Sequence, residues 1–199
     1  MDAYPRRLGS RPLSFSRHQS RTTSERCVRP GGRLVLQQSF DIIDQTGVDI
    51  QATKGAWLWK FEGISRWSGQ ADSHFLAAVG GFEYTTFDLF ETGSDLGLLL
   101  EYLYDGRNSG APQTAAQDDV FAGARVTLND VQDTSALIGF VIDRHTGASV
   151  IAIEAERRIG DSFKLEIDGG VIVGAPTTDF ILFGRRKDDF VQARLLYYF

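Results

Sequence analysis

The chain has 199 residues, of which 42% are hydrophobic, 24% are charged and 12% are aromatic, and its formal net charge is −5. This composition fits one folded domain and excludes a disordered or fibrous chain. The single cysteine, Cys27, excludes an internal disulfide and a cysteine-based metal site. No run of about 18 apolar residues is present, which excludes a transmembrane α-helix but not a transmembrane β-strand, since such a strand is apolar on one face only.

Residues 1–33 differ in charge from the rest of the chain. They contain eight Arg against Asp2 and Glu25, a net charge of +6, so the remaining residues sum to −11. An Arg- and Ser-rich segment without an apolar run is expected to be disordered, and this one lacks the apolar region of a secretory signal peptide. It resembles a transit peptide in composition, and a nucleic-acid-binding arm or a misplaced reading frame are the alternatives. The acidic body argues against the arm, so no nucleic-acid partner is expected, and we predict a leader at 1–33 and a folded domain at 34–199.

From residue 47 onward, apolar and polar residues alternate with a period of two, and Gly, Asn, Asp and Ser clusters interrupt the alternation. This pattern predicts antiparallel strands joined in a meander. Nine strands are predicted, at residues 45–54, 56–68, 72–86, 94–106, 117–129, 134–144, 147–158, 162–174 and 188–199. A weaker candidate at residues 33–42 would bring the number to ten, and pairing of that segment with the last strand would close a small barrel.

The connections between these strands differ in length on alternate ends. The short ones, at 54–55, 129–134 and 158–161, all fall on one side, and the long stretches at 106–117 and 173–187 fall on the other. Bacterial outer-membrane barrels have short periplasmic turns and longer external loops. The sequence therefore predicts an all-β fold, an antiparallel up-and-down transmembrane β-barrel of about nine or ten strands, or a fragment of a larger one.

Each predicted strand has one charged face. The aromatic rings of Trp57 and Trp59 alternate with the charged group of Lys60, and later strands repeat this arrangement. If the apolar positions, such as Leu98 and Leu195, face lipid, the charged ones must face a lumen, because side chains alternate across a strand. The expected lumen residues are seven acids and four bases, a balance that favours cations weakly: Lys60, Glu62, Glu83, Glu101, Arg125, Glu154, Glu156, Lys164, Glu166, Asp168 and Arg194.

The last predicted strand alternates between apolar or aromatic residues and other types up to the final Phe. Positions taken by twos back from that residue are Val191, Ala193, Leu195, Tyr197 and Phe199. This pattern resembles the C-terminal β-signal of bacterial outer-membrane proteins, which the barrel-assembly machinery reads. The barrel-assembly machinery is therefore an expected partner.

Residues 45–199 also resemble the C-terminal part of a family of uncharacterised proteobacterial porin-like outer-membrane proteins. The resemblance rests on the stretches at residues 56–62, 81–85, 95–97 and 101–105, and on the Asn-Asp and Asp-Thr pairs at 129–130 and 133–134. It implies an integral β-barrel in the bacterial outer membrane that passes or binds small solutes through a polar lumen. Family members are longer and begin with a signal peptide, and this sequence departs on both counts.

Aromatic residues gather near the predicted strand ends. Trp and Tyr prefer the zone where hydrocarbon meets lipid headgroups, because their rings are apolar and carry a polar group. The predicted aromatic girdles comprise Trp57, Trp59, Phe82 and Tyr84 near one rim, with Tyr197 and Phe199, and Trp67, Tyr102 and Tyr104 near the other. Outer-membrane lipid is therefore an expected partner.

The sequence offers little for catalysis. Glu154 and Glu156 place two carboxylates on one strand face, as do Glu166 and Asp168, but charge pairing in a wet lumen explains them better than acid–base work. The three histidines are far apart in the sequence, and no Gly-rich phosphate loop opens a helix. No enzymatic activity, cofactor or metal is predicted. The alternative to a membrane barrel is a soluble, lipocalin-like barrel whose apolar face lines a ligand cavity.

Overall fold

The computed structural model describes residues 8–11, 19–28, 34–68, 73–107, 114 and 117–199. This part of the chain is almost entirely β-structure, with one short helix, α1 (Phe180–Arg185), and a 3-10 turn at Leu89–Glu91. The strands are β1 (Leu8–Arg11), β2 (Gln19–Val28), β3 (Leu34–Lys54), β4 (Trp57–Ser68), β5 (Ser73–Thr86), β6 (Asp95–Asp105), β7 (Asp118–Thr127), β8 (Ser135–Asp143), β9 (Ser149–Ile159), β10 (Phe163–Val173) and β11 (Phe190–Tyr197).

Strands β3 to β11 form one antiparallel up-and-down sheet of nine strands, in which each strand pairs with the next. The register of every pair is constant, so no bulge interrupts these ladders. The nine predicted strands are confirmed, with ends within two residues of the predicted ones, except that β3 begins far earlier. The period of two therefore located the sheet correctly.

The tenth strand predicted at residues 33–42 is wrong as a separate element. Its described part, from residue 34, is the beginning of β3, which continues without a break to Lys54. This part pairs with β2 and not with β11. Within the described residues no hydrogen-bonded pairing joins β11 to β1, β2 or β3, so the sheet is open.

The leader contributes two strands where the sequence analysis expected disorder. Leu8 pairs with Ala52 at one end of β3, and Gln19 pairs with Ile43 farther along it. An edge strand presents a row of unpaired backbone N–H and C=O groups, and such an edge accepts a strand with little regard to side-chain type. Backbone pairing with the long edge of β3 therefore explains order in a segment whose composition lacks an apolar face.

The sheet has one apolar and one polar face, which the registers define throughout. The apolar face carries Trp57 of β4 and the positions directly paired with it across the sheet, together with every second residue from these: Tyr84, Leu98, Ala124, Ile138, Ile153, Gly169 and Val191. The polar face carries the residues between them. In β3 to β11, every exposed large hydrophobic side chain of the described residues lies on the apolar face, except that of Phe190.

No second layer covers this sheet within the described residues, since the strands make their main contacts with their sheet neighbours. The buried hydrophobic residues there are few: Ile43, Phe75, Leu99, Ala148 and Leu182. A water-soluble domain normally covers the apolar face of a sheet with another layer. The described part of the chain provides no such cover for the apolar face.

The strands are strongly tilted relative to an axis that runs perpendicular to the row of strand ends. A line of directly paired residues starts at Trp57, the first residue of β4, crosses six strand gaps and reaches Gly169 in β10. Gly169 lies six residues beyond Phe163, the first residue of β10 (169 minus 163). Six residues of about 3.3 Å over six gaps of about 4.8 Å correspond to a tilt of about 35°. Closed β-barrels require a tilt of this size.

The connections fall into two groups at opposite ends of the strands. The turn end has residues 55–56, 87–94, 128–134 and 160–162, and the fully described connections at the loop end are residues 144–148 and 174–189. Asp130 organises one turn: its carboxylate accepts hydrogen bonds from the Thr134 backbone N–H at 2.8 Å and from the Thr134 hydroxyl at 2.8 Å. These bonds lower the pKa of Asp130 from its ordinary value. At the loop end, Asp179 caps α1 by accepting from the N–H groups of Ile181 and Leu182.

Candidate functional site

The candidate site is the polar face. The registers place all eleven charged residues that the sequence assigned to a lumen on this one face. In each strand they occupy positions that alternate with the apolar-face positions. Exposure differs sharply between neighbours along a strand: in β6, Leu98 and Leu100 on the apolar face are 48% and 42% exposed, whereas Leu99 on the polar face is 8% exposed. The polar face is thus the more enclosed side of the sheet.

A ladder of alternating charges crosses β9, β10 and β11. Lys164 Nζ lies 2.8 Å from Glu156 Oε2 and 3.2 Å from Glu166 Oε1. Arg194 Nη2 lies 3.7 Å from Glu166 Oε2 and 2.8 Å from Asp168 Oδ2. Three carboxylates thus share two cations. Solvated pairs of this kind stabilise a fold by only about 0–1 kcal/mol each, so the ladder sets charge on this face more than it sets stability.

A second ion pair spans three strands. Glu83 of β5 is 8% exposed, and its Oε1 lies 3.2 Å from Arg125 Nη1 of β7. The side chain crosses β6 above Gly97, where an added Cβ would lie 2.9 Å from Glu83 Oε1. Gly97 therefore leaves the space through which the two charges meet. The sequence predicted both charged residues for this face, but only the register could reveal the glycine's part.

A cavity of about 400 Å³ indents the polar face between β7 and β10. Its charged lining consists of one base and four acids: Arg125, Glu154, Glu156, Glu166 and Asp168. Glu154 forms no ion pair within the described part of the chain, nor do Glu62 and Glu101 on neighbouring stretches of this face. The cavity is therefore negatively charged overall and open to solvent.

A cluster of cations and one ring lies at the loop end of the polar face. The guanidinium carbons of Arg66 and Arg107 lie 5.5 Å and 5.4 Å from the centre of the Phe75 ring, which is 6% exposed. Arg107 also pairs with Asp105. Attraction between a guanidinium and a ring face holds such groups together. This cluster was not predicted from the sequence, although the alternation of side chains along the strands places Arg66, Phe75 and Asp105 on the polar face.

Asp119 is the most enclosed acid of the polar face. It is 1% exposed, its Oδ2 has no hydrogen-bond partner within the described residues, and Asp143 lies directly opposite on β8. No sequence pattern indicated Asp119, because its enclosure depends on which residue of the neighbouring strand lies opposite. Asp118 itself belongs to the apolar face.

The aromatic residues of the apolar face form two groups at opposite strand ends. At the turn end, the Trp57 ring lies 5.5 Å from that of Trp59, 5.3 Å from that of Phe82 and 4.8 Å from that of Tyr84. Trp67, Tyr102 and Tyr104 lie at the loop end of the same face. The predicted girdle residues therefore occupy the two ends that the sequence analysis assigned to them.

At the loop end of the apolar face, polar groups surround Tyr102. Its hydroxyl donates to Asp118 Oδ1 at 2.6 Å, and Arg144 Nη1 donates to the same oxygen at 2.9 Å. His145 Nε2 lies 3.1 Å from Asp118 Oδ2. The hydrogen bond to Asp118 raises the pKa of Arg144, so this guanidinium stays charged at the edge of the apolar face.

The residues predicted as an assembly signal lie in or just beyond β11. Val191, Ala193, Leu195 and Tyr197 share the apolar face, and the Tyr197 ring contacts the rings of Phe163 at 5.1 Å and Phe199 at 6.1 Å. Val191 is 83% exposed and Leu195 is 63% exposed. β11 pairs with β10 on one side only, so this apolar strand is an edge of the described sheet.

No helix among the described residues is long and apolar enough to span a membrane. Nor does this part of the chain contain a group of three or more His, Cys, Asp or Glu side chains placed to hold a metal ion. No protein-family model matches the sequence, and no curated protein or solved structure matches it either.

Proposed function

We propose that this chain is a transmembrane β-barrel of the outer-membrane, porin-like kind, or part of one, whose polar face lines a channel or binding lumen for small solutes. The observation that carries the proposal is the distribution of charge on the apolar face. Among the described residues of β4 to β11, the Asp, Glu, Lys, Arg and His side chains on that face are those of His74, Asp118 and Arg157, each within three residues of a strand end. The middle of the face is free of charge, as contact with hydrocarbon requires.

The dimensions of the apolar face support this proposal. Trp57 and Trp67 lie on that face at opposite ends of β4, ten residues apart (67 minus 57). Ten residues of about 3.3 Å span about 33 Å, which a tilt of about 35° reduces to about 27 Å along the barrel axis. The apolar band of outer-membrane barrels is about 25 Å tall and is bordered by aromatic girdles. The two aromatic groups would lie at its two borders.

The lumen side supports passage of small polar solutes. Charged groups line it from β4 to β11, and the acids outnumber the bases by seven to four in the set that the sequence assigned to the lumen. In a narrow polar pore, that excess repels anions, whereas Arg and Lys cancel part of the field. A weak preference for cations follows. Outer-membrane lipid and the barrel-assembly machinery are the partners that this proposal requires.

A soluble, lipocalin-like barrel would use the two faces the other way round. Its apolar face would line the concave interior and its charged face would meet water. Three cavities lined by described residues, of about 400, 270 and 200 Å³, indent the polar face, and the apolar side chains are the exposed ones. The positions of these cavities and the exposure of the apolar side chains therefore argue against that alternative.

Partition between detergent and buffer tests the proposal. The full chain, refolded with and without detergent micelles, is expected to remain in solution as β-structure only with detergent, and to form ion-conducting channels in a planar bilayer. Far-UV circular dichroism confirms folding in each sample. A monomeric, folded chain in detergent-free buffer would overturn the proposal.

A further inference from the structure

The direction of each strand decides which strand can pair with the free side of β11 to close the sheet. Successive strands of a meander alternate in direction, so β3 and β11, eight steps apart, run the same way. An antiparallel contact between β3 and β11 is therefore impossible. β1 is antiparallel to β3 and hence runs opposite to β11.

β1 and the C-terminal end of β11 also lie at the same end of the sheet. Leu8 pairs with Ala52, two residues before the end of β3, which places β1 at the turn end of the sheet. β11 ends at Tyr197, at the same turn end, because Tyr197 pairs with Phe163, the first residue of β10. The unpaired side of β11 and the antiparallel strand β1 thus both lie at the turn end of the sheet.

The tilt gives the register that would join them. The line of paired residues that runs from Lys54 in β3 to Val191 in β11 climbs six residues over the six steps from β4 to β10, which is about one residue per step. Over ten strands this amounts to a total stagger, or shear, of about ten residues. The numbers of paired residues sum to 60 for β1 with β3, so a shear of ten makes them sum to 207 for β1 with β11 (60 minus 54, plus 10, plus 191), which places Ser10 opposite Tyr197 and Arg11 opposite Leu196.

We propose that the unpaired edge of β11 closes on β1 in the membrane, with Ser10 opposite Tyr197, so that the Arg-rich leader supplies the tenth strand of the barrel. This inference rests on the proposed function, because closure would make the polar face the enclosed lumen that the proposed barrel requires. Ten strands are an even number, which allows antiparallel pairing all around. Closure also removes the exposed apolar edge, which would otherwise invite aggregation.

Cysteine cross-linking in the full chain tests this register. In a Cys27→Ser background, refolded in detergent micelles, Ser10→Cys is combined with Tyr197→Cys and exposed to mild oxidation. The matched control combines Ser10→Cys with Phe163→Cys, because Phe163 pairs with Tyr197 one strand farther into the sheet. Only directly opposite cysteines come within disulfide reach, so the first pair is expected to cross-link within one chain about tenfold more than the control.

Further variants measure the shear and provide a second pair in case the first variant does not fold. Ser10→Cys with Leu195→Cys reports a shear of eight, and with Phe199→Cys a shear of twelve; only even values keep each face continuous. Arg11→Cys with Leu196→Cys probes the same register as the first pair with different side chains, in case Tyr197→Cys fails to fold by circular dichroism.

Two results would overturn the closure. One is the absence of an intramolecular cross-link in all of these pairs while the proteins are folded in detergent. The other is cross-linking only between chains, including in a variant that carries Tyr197→Cys alone, which would mean that a second copy occupies the edge of β11. If such a protein still enters detergent and conducts ions, the closure fails and the proposed function stands; a chain that folds without detergent fails the proposed function instead.

Discussion

The two faces of the sheet carry opposite kinds of side chain and differ in how those side chains find partners. On the polar face, Lys164 and Arg194 each contact two carboxylates, and Glu83 reaches across a strand to Arg125. On the apolar face, aromatic rings contact one another at the strand ends, and the aliphatic residues between them stay exposed. A face whose charges are paired tolerates water, whereas under the proposed function the apolar face, which carries few charges and which the described residues leave uncovered, meets lipid.

The largest expected effect comes from adding a charge to the apolar face, compared with the same charge at the adjacent position on the polar face. Ile138→Arg places a cation on the apolar face in the middle of β8, where Ile138 is 51% exposed. In a lipid-embedded barrel this change is expected to lower the free energy of unfolding by about 2–4 kcal/mol. Leu137→Arg is the matched control, because Leu137 lines the carboxylate cavity and lies directly opposite Glu154. Urea unfolding in lipid vesicles measures both, and equal losses would mean that the faces do not differ in solvent.

Adjacent glycines in β5 compare the space available on the two faces. An added Cβ at Gly81, on the polar face, would lie within 3 Å of backbone atoms of Leu100 and Glu101, whereas at Gly80, on the apolar face, the nearest atoms would be at 3.4 Å, on the Phe61 ring. Gly81→Ala is therefore expected to cost about 1–3 kcal/mol through overpacking, and Gly80→Ala much less. Denaturation midpoints of the two variants provide the measurement. A larger loss from Gly80→Ala would contradict the assignment of the polar face as the crowded, concave side.

Removing one carboxylate from the polar face is expected to change selectivity and not folding. Glu154 forms no ion pair within the described residues, so Glu154→Gln leaves no partner unpaired and is expected to leave the unfolding midpoint nearly unchanged. It removes one negative charge from the cavity, so the reversal potential in a salt gradient is expected to shift toward weaker cation preference. Glu91→Gln, in the turn at residues 87–94, serves as the control and is expected to leave that potential unchanged. Unfolding by Glu154→Gln would reverse the assignment of the faces.

The smallest expected effect concerns a turn at the turn end of the sheet and not a side chain on either face. The pKa of Asp130 is lowered in the folded chain by the hydrogen bonds from Thr134, so its contribution to stability is present above the unfolded pKa of about 3.9 and is lost as the pH falls through the folded value. Asp130→Asn is therefore expected to destabilise the chain slightly at pH 7, with a difference from the unchanged chain that disappears toward pH 2. Unfolding midpoints across that range would show it. A difference that grows in acid would refute this account of the turn.

Most of the sheet could be predicted from the sequence, because a period of two fixes both the strands and their faces. The glycine at position 97 and the enclosed Asp119 could not, since their roles depend on which residue of a neighbouring strand lies opposite. β1 and β2 escaped prediction because backbone pairing with β3 orders them without an apolar pattern. The short helix α1 did carry a signal, since Asp179 precedes Phe180 as an N-cap residue would, but six residues are too few for a helical stripe.

The solvent that each face meets tests the central claim most directly. Spin labels attached to Ile138→Cys and to Leu137→Cys, each in a Cys27→Ser background and reconstituted in lipid vesicles, report collisions with oxygen, which concentrates in hydrocarbon, and with a water-soluble nickel complex. The label at position 138 is expected to collide mainly with oxygen, and the label at position 137 mainly with nickel. Nickel access at position 138 together with oxygen access at position 137 would contradict the claim that the apolar face meets lipid and the polar face lines the lumen.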